Sequence, residues 1–258
     1  MKITLLQKKG SVEEKDFHNQ LNTAIHKLIG TLSATATFSS FTNQGWTTIS
    51  VDGEDAEVVT ELLSRTFGVA SIDASKTERY ENYRGVVKNV STSGITVDIG
   101  IERPKTTFVN VKLSTLQAQL ADGQKISSRR IAEYYCISIE TPISIRVTLI
   151  SPSEIEGWLS DSQISQFSRW ISTGLERIQV FNCLPTQLDF AIRKAQLERD
   201  IVASEQLSLT VQSILCKFGT NAIGLIPRIG SILRKSELKP FIPRRIQEEC
   251  RTWRTNDA

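Results

Sequence analysis

The sequence predicts an α+β fold in which two ferredoxin-like βαββαβ modules flank a central OB-like β-barrel, with a helical connector after the barrel. Apolar residues in residues 1–75, and again in 176–258, follow strand and helix spacings in the order strand, helix, strand, strand, helix, strand. Residues 76–150 instead show a series of short strands with alternating apolar and polar positions. Residues 151–175 have apolar side chains at helical spacing, which predicts the connector.

The composition is that of a globular protein with more than one domain. The chain has 258 residues, 40% of them hydrophobic and 23% charged, and it exceeds the usual size of a single domain. The sequence contains neither a membrane-length apolar run nor a signal-peptide core, so we expect a cytoplasmic protein without membrane contact. Its four cysteines are far apart in sequence, and this spacing predicts neither a zinc site nor a disulfide framework.

The first module begins with a predicted strand and a predicted helix. Ser11 and Glu14 have the spacing of a capping box, which predicts the helix start. Phe17 and Leu21 belong to the apolar stripe of that helix, and Gly30 suits its C-terminal end, where a left-handed backbone is needed. The other predicted elements are strands over residues 2–7, 32–38, 46–51 and 69–72, and a second helix over residues 59–67.

The central module is predicted from alternating strands. Residues 84–100 form two strands joined by a short turn, with Ile95, Val97 and Ile99 on the inner face of the second strand. Further strands are predicted over residues 107–113, 137–139 and 143–150, with a short helix over residues 115–121.

The connector and the last module complete the prediction. A second capping-box pattern at residues 153–156 predicts one connector helix, and Asp161 is expected to begin another. Trp158 and Trp170 are expected to pack between domains. In the last module we expect strands over residues 177–182, 201–207, 209–216 and 238–242, a helix after Pro185, a helix within residues 222–234 that Pro227 kinks or begins, and a basic, partly disordered tail over residues 243–258.

Three separated phrases of the sequence resemble one protein family. They are residues 46–58, residues 97–100, and residues 216–222 with the following Pro227-Arg228-Ile229-Gly230. Together they resemble an archaeal family known as domain of unknown function 2110 (DUF2110). The resemblance implies an archaeal cytoplasmic protein, and it implies no functional residues because the family offers none.

A second resemblance covers only the first strands of the central module. Val97-Asp98-Ile99-Gly100 resembles the second strand of S1-type RNA-binding OB barrels. The chain departs from the S1 pattern at Ile95, where S1 modules carry an aromatic residue, and it lacks their histidine-containing phrase after the third strand. The resemblance therefore implies an OB shape more directly than it implies an RNA-binding face.

Charge alternates along the chain. The net charge is −3 over residues 1–75, +4 over 76–150, −3 over 151–210 and +5 over 211–258. Basic segments between acidic ones indicate an anionic partner that contacts particular faces. The alternative is that basicity of this size is ordinary for a soluble surface.

Basic and aromatic residues of the two basic segments are candidate RNA contacts. OB barrels that bind single strands combine a basic groove with aromatic stacking platforms, and Tyr134 or Tyr135 is a further candidate for stacking. The candidate RNA-binding residues are Arg84, Lys88, Arg103, Lys105, Phe108, Lys112, Arg129, Arg130, Arg244 and Arg245.

A turn in the last module is a candidate anion site. Lys217, Gly219, Thr220 and Asn221 precede a predicted helix, where free backbone amides and a lysine can hold a phosphate. The spacing is not that of a P-loop. An ordinary strand-to-helix turn capped by Thr220 or Asn221 is the alternative.

These observations favour a non-enzymatic RNA- or ribosome-associated binding protein. One alternative is a protein-interaction scaffold that pairs with itself or with another protein, and a weaker one is a nucleotide-binding enzyme centred on residues 217–221. His18 and His26, the only histidines, are eight residues apart and are expected to face solvent on the first helix. We therefore predict no catalytic residue, no metal site and no cofactor.

Overall fold

The computed structural model describes residues 1–151 and 153–255, and side chains up to Cys250. The fold is mixed α+β, with a closed five-stranded, OB-like barrel and two antiparallel sheets, as the sequence predicts. In the described ranges no helix is long and apolar enough to cross a membrane. The archaeal origin and the cytoplasmic location stay predictions.

The first module contains a three-stranded sheet covered by two helices. Its elements are β1 (Lys2–Lys8), α1 (Glu14–Ile29), β2 (Ala34–Phe41), β3 (Trp46–Gly53) and α2 (Ala56–Phe67). The strand order is β1-β3-β2 and both pairings are antiparallel. The buried stripe of α1 packs with that of α2 on the sheet, so the helical spacing of these residues is explained by the core they share.

Two sequence predictions for this module are wrong. Residues 69–72 make one bridge, between Leu5 and Val69, instead of a full strand. The Ala70 N–H still donates to Thr4 O of β1 at 2.9 Å, and the chain then leaves the sheet because the following groups bond to the barrel. Ile72 O accepts the N–H groups of Glu102 and Arg103, both at 2.9 Å. The capping box is absent as well, since α1 begins at Glu14 and the Ser11 N–H donates to Asn182 Oδ1 at 3.1 Å.

The barrel is made of five strands with the order β4-β5-β6-β8-β7. Strands β6 and β8 are parallel, and the other pairings are antiparallel. Closure removes the free strand edges. The elements are β4 (Asn82–Ser91), β5 (Gly94–Ile101), β6 (Thr107–Lys112), α3 (Leu113–Leu120), α4 (Ser128–Tyr134), β7 (Pro142–Ile150) and β8 (Ile155–Leu159).

Strand β8 corrects the prediction of a first connector helix. Ile155 and Leu159 are buried in the barrel core, whereas Trp158 faces outward and is 52% exposed. The apolar residues at positions 155, 158 and 159 fit helical spacing. The segment nevertheless forms a strand because its backbone pairs with β6 and β7, and its side chains then point alternately into and out of the barrel. Trp158 thus does not pack between domains, in contrast to Trp170, which is buried.

Residues 137–139 are another corrected element of the barrel module. They do not form a strand and instead follow α4, a helix that the sequence did not predict. The Ser138 N–H bonds Thr141 Oγ1 at 2.8 Å, and this turn brings the chain to the start of β7. The domain boundaries remain a prediction, and we propose that the barrel module extends through β8 because that strand closes it.

The last module has the predicted ferredoxin-like order. A helix α5 (Asp161–Ser172) leads into a four-stranded antiparallel sheet with the strand order β10-β11-β9-β12. Pro185 begins α6 as predicted. Helix α7 begins at Ala222, so Pro227 lies inside this helix and does not begin it. The elements are β9 (Arg177–Phe181), α6 (Pro185–Lys194), β10 (Ile201–Gln206), β11 (Val211–Cys216), α7 (Ala222–Gly230) and β12 (Glu237–Phe241).

The basic tail is helical over most of its length. Residues after β12 form α8 (Pro243–Thr255), which corrects the prediction of disorder for the described part; residues 256–258 lie outside the described residues. Ile246 is buried against the barrel core, and the Phe241 ring lies edge-on to Trp170 with centroids 5.4 Å apart. The end of β12 and the start of α8 therefore pack against the central module.

Two consecutive residues at the end of β1 connect all three modules. The Lys8 ammonium lies 2.8 Å from Asp98 Oδ2 of β5 and 4.1 Å from the centre of the Trp46 ring. Asp98 is fully buried, and its Oδ1 accepts the Gly100 N–H at 2.9 Å. The buried Gln7 side chain accepts the Leu209 N–H of the last module at 2.8 Å.

We expect Lys8→Met to destabilise the fold by about 3–5 kcal/mol, because it leaves the Asp98 carboxylate buried without a partner. Adding Asp98→Asn to Lys8→Met should restore much of the loss, since the uncompensated charge is then removed. Chemical denaturation of the full chain measures both effects.

The matched control is Lys112→Met, which breaks the more exposed 2.6 Å pair between Lys112 and Glu156. Such a pair contributes less than about 1 kcal/mol. Equal losses for Lys8→Met and Lys112→Met would contradict the importance of the buried pair.

Three buried thiols are protected from reaction. Burial raises the pKa of Cys136 and of Cys183 to about 12, and that of Cys216 to about 11. Because the thiolate is the nucleophile, these groups are poorly reactive near neutral pH. Each thiol has a higher pKa in the folded protein than in the unfolded chain, so its deprotonation favours unfolding. These thiols therefore leave the free energy of unfolding unchanged below about pH 9 and lower it as the pH rises toward 12.

We expect a thiol reagent at pH 8 to modify no more than one of the four cysteines in the folded protein, and all four after denaturation. Absorbance of the released chromophore gives the count. Rapid modification of two or more thiols under native conditions would contradict the burial of Cys136, Cys183 and Cys216.

Candidate nucleic-acid interface

A groove at the junction of the barrel with the last module brings several predicted cations together. It has a volume of about 760 Å³, and we call it the junction groove. The turn between β4 and β5 and the helix α4 form one wall, and β12 and the start of α8 form the other. Its lining residues include Asn89, Ser91, Thr92, Ser128, Arg129, Glu133, Ile139, Glu237, Lys239 and Arg245.

Serine side chains hold the barrel wall of the junction groove in place. Ser128 Oγ donates to Ser91 O, which ties the start of α4 to the end of β4. Ser127 Oγ caps α4 by accepting the Arg130 N–H at 3.3 Å. The Leu113 N–H donates to Ser93 O at 2.7 Å, so the turn between β4 and β5 is fixed from both sides.

Three cations line the junction groove. Arg129 is exposed and makes no ion pair within the described residues. The Arg245 guanidinium lies 4.9 Å from the centre of the Tyr134 ring. Lys239 on β12 lies 3.0 Å from Glu237 Oε1 and 6.0 Å from the centre of the Phe181 ring. The carboxylates of Glu133 and Glu237 also line the groove, and Glu237 neutralises Lys239. Arg129 and Arg245, one from each module, supply the net positive charge.

Arg130 is occupied by a neighbouring network. Its Nε donates to Tyr134 Oη and its Nη2 to Glu249 Oε1, both at 2.7 Å, and Tyr134 Oη donates to the same carboxylate at 2.6 Å. The hydrogen bond from Tyr134 lowers the pKa of Glu249, and burial raises the pKa of Tyr134. This network ties α4 to α8, and Arg130 is largely neutralised.

The other predicted RNA-binding residues are distributed over separate surfaces. Lys112 and Arg244 are paired with Glu156 and Glu248 at 2.6 and 2.7 Å. Lys88 is exposed on β4, and Arg103 and Lys105 are exposed on the loop after β5. None of these three residues lines the junction groove. Of the ten predicted residues, the structure brings Arg129 and Arg245 together in the junction groove.

The predicted aromatic platforms are mostly buried. Tyr135 donates its hydroxyl to Leu120 O at 2.8 Å, and burial raises the pKa of this tyrosine. Phe108 is half-buried on β6. Tyr134 is buried too, with one ring face under Arg245. None of these three rings is freely exposed for base stacking.

The first module covers part of the barrel wall that carries the S1-like phrase. Asp98 is buried under Lys8, and Gly100 lies so close to Ala70 that an added Cβ would be 2.4 Å from the Ala70 Cβ. OB barrels commonly bind ligands on their second and third strands. Here one end of that surface is a contact between modules.

The turn at residues 217–221 has few free amide groups. Asn221 caps α7 by accepting the N–H groups of Ile223 and Gly224 at 2.9 and 3.3 Å, as the alternative prediction stated. The Ala222 N–H donates to Glu176 Oε2 at 2.6 Å. The Thr220 N–H donates to Lys217 O at 3.0 Å, so the amides that an anion would need are largely occupied and the geometry does not favour the anion-binding prediction.

The histidines show no metal or catalytic arrangement. His26 is exposed as predicted, but His18 is not solvent-facing: its ring lies 4.1 Å from the Phe38 ring and 5.8 Å from the Phe41 ring, centre to centre. Among the described residues no three or more His, Cys, Asp or Glu side chains are grouped to hold a metal.

Sequence reasoning missed two surface features. Lys239 joins the junction groove only because β12 passes beside α4, and no local pattern reveals this. Tyr80 and Trp158 are 60% and 52% exposed on the barrel, near the paired strands β7 and β8. The exposure of Trp158 follows from its outward-facing position on β8, a segment that was predicted to be helical.

These features define a class of protein: an OB-like barrel packed between two antiparallel α+β modules. The chain belongs to the DUF2110 family, since the DUF2110 central domain matches residues 77–171 and the DUF2110 C-terminal domain matches residues 175–241. No functionally curated protein matches the sequence significantly.

Solved structures share limited similarity with the chain. The solution structure of GSP13 from Bacillus subtilis is 15% identical, with a TM-score of 0.23 over 36% of this chain and 60% of that chain. A chain of the a/eIF2alpha-aDim2p-rRNA complex from Pyrococcus horikoshii OT3 is 14% identical, with a TM-score of 0.25 over 46% of this chain and 64% of that chain. A multidomain protein with nucleic acid binding domains from Streptococcus pneumoniae is 8% identical, with a TM-score of 0.23 over 76% of this chain and 48% of that chain. This chain spans less than two thirds of each.

Proposed function

We propose that the protein binds RNA without catalysing a reaction on it, and that the junction groove is its main contact surface. The observation that carries the proposal is the meeting of Arg129 and Arg245, from two modules and without an ion pair among the described residues, in one groove. Cations in a groove attract the phosphate backbone, and most of the affinity of non-specific RNA binding comes from such contacts. We propose the ribosome as one RNA-containing partner of this kind.

The chemistry of the groove suits a phosphate backbone more than stacked bases. Arg129 is free to form bidentate hydrogen bonds with a phosphate. Serine and asparagine side chains of the groove add neutral donors, and the predicted aromatic platforms are buried. We therefore expect binding with low sequence specificity and a strong dependence on salt.

The combined change of Arg129→Gln and Arg245→Gln should weaken the binding of single-stranded RNA. Loss of two phosphate contacts should reduce the slope of log affinity against log salt by about 1.4, and affinity at 0.1 M salt should fall roughly 10- to 30-fold. Filter binding over a salt series with the full chain measures both quantities.

Lys2→Gln with Lys15→Gln is the matched control, because it removes the same charge from exposed positions of the first module. Unaltered affinity in the groove variant, or a loss equal to that of the control, would contradict the proposed surface. Wild-type binding that is indifferent to salt would contradict the proposed function.

An exposed apolar patch favours a protein-interaction scaffold as the second candidate. Tyr80, Leu149, Ile150 and Trp158 are all more than one-third exposed on the barrel. Glu154 is exposed in the same region, whereas the carboxylates of Glu156 and Asp161 are paired with Lys112 and Arg146 at 2.6 and 3.5 Å. The exposed apolar area therefore carries this second candidate.

The change Trp158→Ser should reduce any self-association, because an exposed tryptophan is a common anchor of an interface. Light scattering of the full chain over a concentration series measures this. A wild-type chain that stays monomeric at every concentration would contradict pairing between copies.

A further inference from the structure

A second concave site lies where all three modules meet. This three-module cleft has a volume of about 350 Å³, at the lower end of the range for small-ligand sites. Its walls come from the end of β1 and α2, from β4 and the start of β7, from α5, and from β9 with the end of β10. The residues that carry the argument are Arg84, Gln166, Arg169, Gln179 and Glu205.

The charge of the three-module cleft is positive. Arg84 and Arg169 both line it. Arg84 donates to the carbonyl oxygens of residues 65 and 66 at 3.0 and 3.4 Å, and the Arg169 guanidinium makes no ion pair within the described residues. The lining carboxylate of Glu205 lies 3.2 Å from Arg177 Nη1, which neutralises it. Two guanidinium groups, one on β4 and one on α5, are therefore available to an oxyanion.

A buried acceptor of the cleft has no partner. Gln179 lies on β9, in the interior of the sheet, and is only 1% exposed. Its side chain lines the cleft, and its Oε1 has no hydrogen-bond donor within the described residues. Burying an unpartnered acceptor is unfavourable. The oxygen has almost no exposed surface, so an N–H group of a ligand would satisfy it once the terminal amide turns toward the cleft.

The side-chain amides of Gln7 and Gln163, which also line the cleft, are already bonded within the protein. Gln7 donates to Phe67 O at 3.0 Å and accepts the Leu209 N–H at 2.8 Å. Gln163 accepts the Ser144 N–H and donates to Gln166 Oε1, both at 3.0 Å. These bonds fix the floor and one wall, which reduces the cost of ordering the site around a ligand.

We propose that the three-module cleft binds a small ligand that combines an oxyanion with an exposed N–H donor, namely a nucleoside monophosphate whose base carries an amino group. The phosphate contacts Arg84 and Arg169, and the amino group donates to Gln179 Oε1. Glutamine side chains recognise the amino edge of adenine in this way. The site is separate from the junction groove and from residues 217–221, so the proposal goes beyond RNA binding.

The experiment is calorimetric titration of the full chain with AMP, IMP, CMP, UMP and inorganic phosphate. IMP and UMP carry a carbonyl where AMP and CMP carry the amino group. We expect AMP or CMP to bind roughly tenfold or more tightly than its carbonyl counterpart, because a carbonyl would oppose Gln179 Oε1. Inorganic phosphate should bind more weakly than the preferred nucleotide.

Three variants locate the site. Arg169→Gln should weaken the preferred nucleotide roughly tenfold or more, since it removes a charge-assisted hydrogen bond. Gln179→Leu should abolish the preference for the amino group without lowering the thermal midpoint of the unliganded protein, because the replaced oxygen has no partner there. Lys217→Gln is the matched control and should bind as the wild type does.

Four results would each overturn the proposal. They are the absence of binding by all four nucleotides, equal affinity for amino and carbonyl bases, inorganic phosphate binding as tightly as the preferred nucleotide, and a loss of binding with Lys217→Gln instead of Arg169→Gln. RNA binding by the junction groove is measured separately, so its failure is distinguishable from failure of this site.

Discussion

The buried ion pair between Lys8 and Asp98 is the interaction on which the arrangement of the modules depends. Asp98 is fully buried and Lys8 nearly so, so neither charge can lose its partner without a large desolvation penalty. The preceding residue, Gln7, bonds the last module through Leu209. Two adjacent residues of β1 thus fix the first module against the other two, and a shift of one module would leave a charge or an amide unpaired.

This constraint determines which surfaces remain for ligands. The phrase that resembles S1 barrels contributes Asp98 and Gly100 to the contact with the first module, so part of the usual OB surface is occupied. The two candidate sites lie instead at junctions between modules. The junction groove combines Arg129 of α4 with Lys239 of β12, and the three-module cleft exists only because the modules are fixed together. Both proposed binding sites therefore lie at contacts between modules.

The sequence predicted that arginines bind the anionic partner, but it did not predict which cations line the junction groove and remain unpaired. Arg129 and Arg245 were predicted from their charge and from the basic segments around them. The neutralisation of Arg130 by Glu249 could not be predicted, because α4 and α8 are more than a hundred residues apart. Lys239 was missed for the same reason. Charge type is a local property, whereas pairing and exposure depend on which distant elements become neighbours.

The sequence by itself determined the α+β class, the order of most helices and strands, and the DUF2110 family, because these follow from hydrophobic periodicity and from short phrases. Only the tertiary structure decided that residues 155–159 form a strand and that residues 69–72 do not. Ile155 and Leu159 fit both a helix and an alternating strand, and the free hydrogen-bonding edges of β6 and β7 select the strand. After Ala70, whose N–H still donates to Thr4 O, the backbone bonds the barrel instead of β1. Where local spacing allows two structures, the backbone partners that distant segments supply determine which one forms.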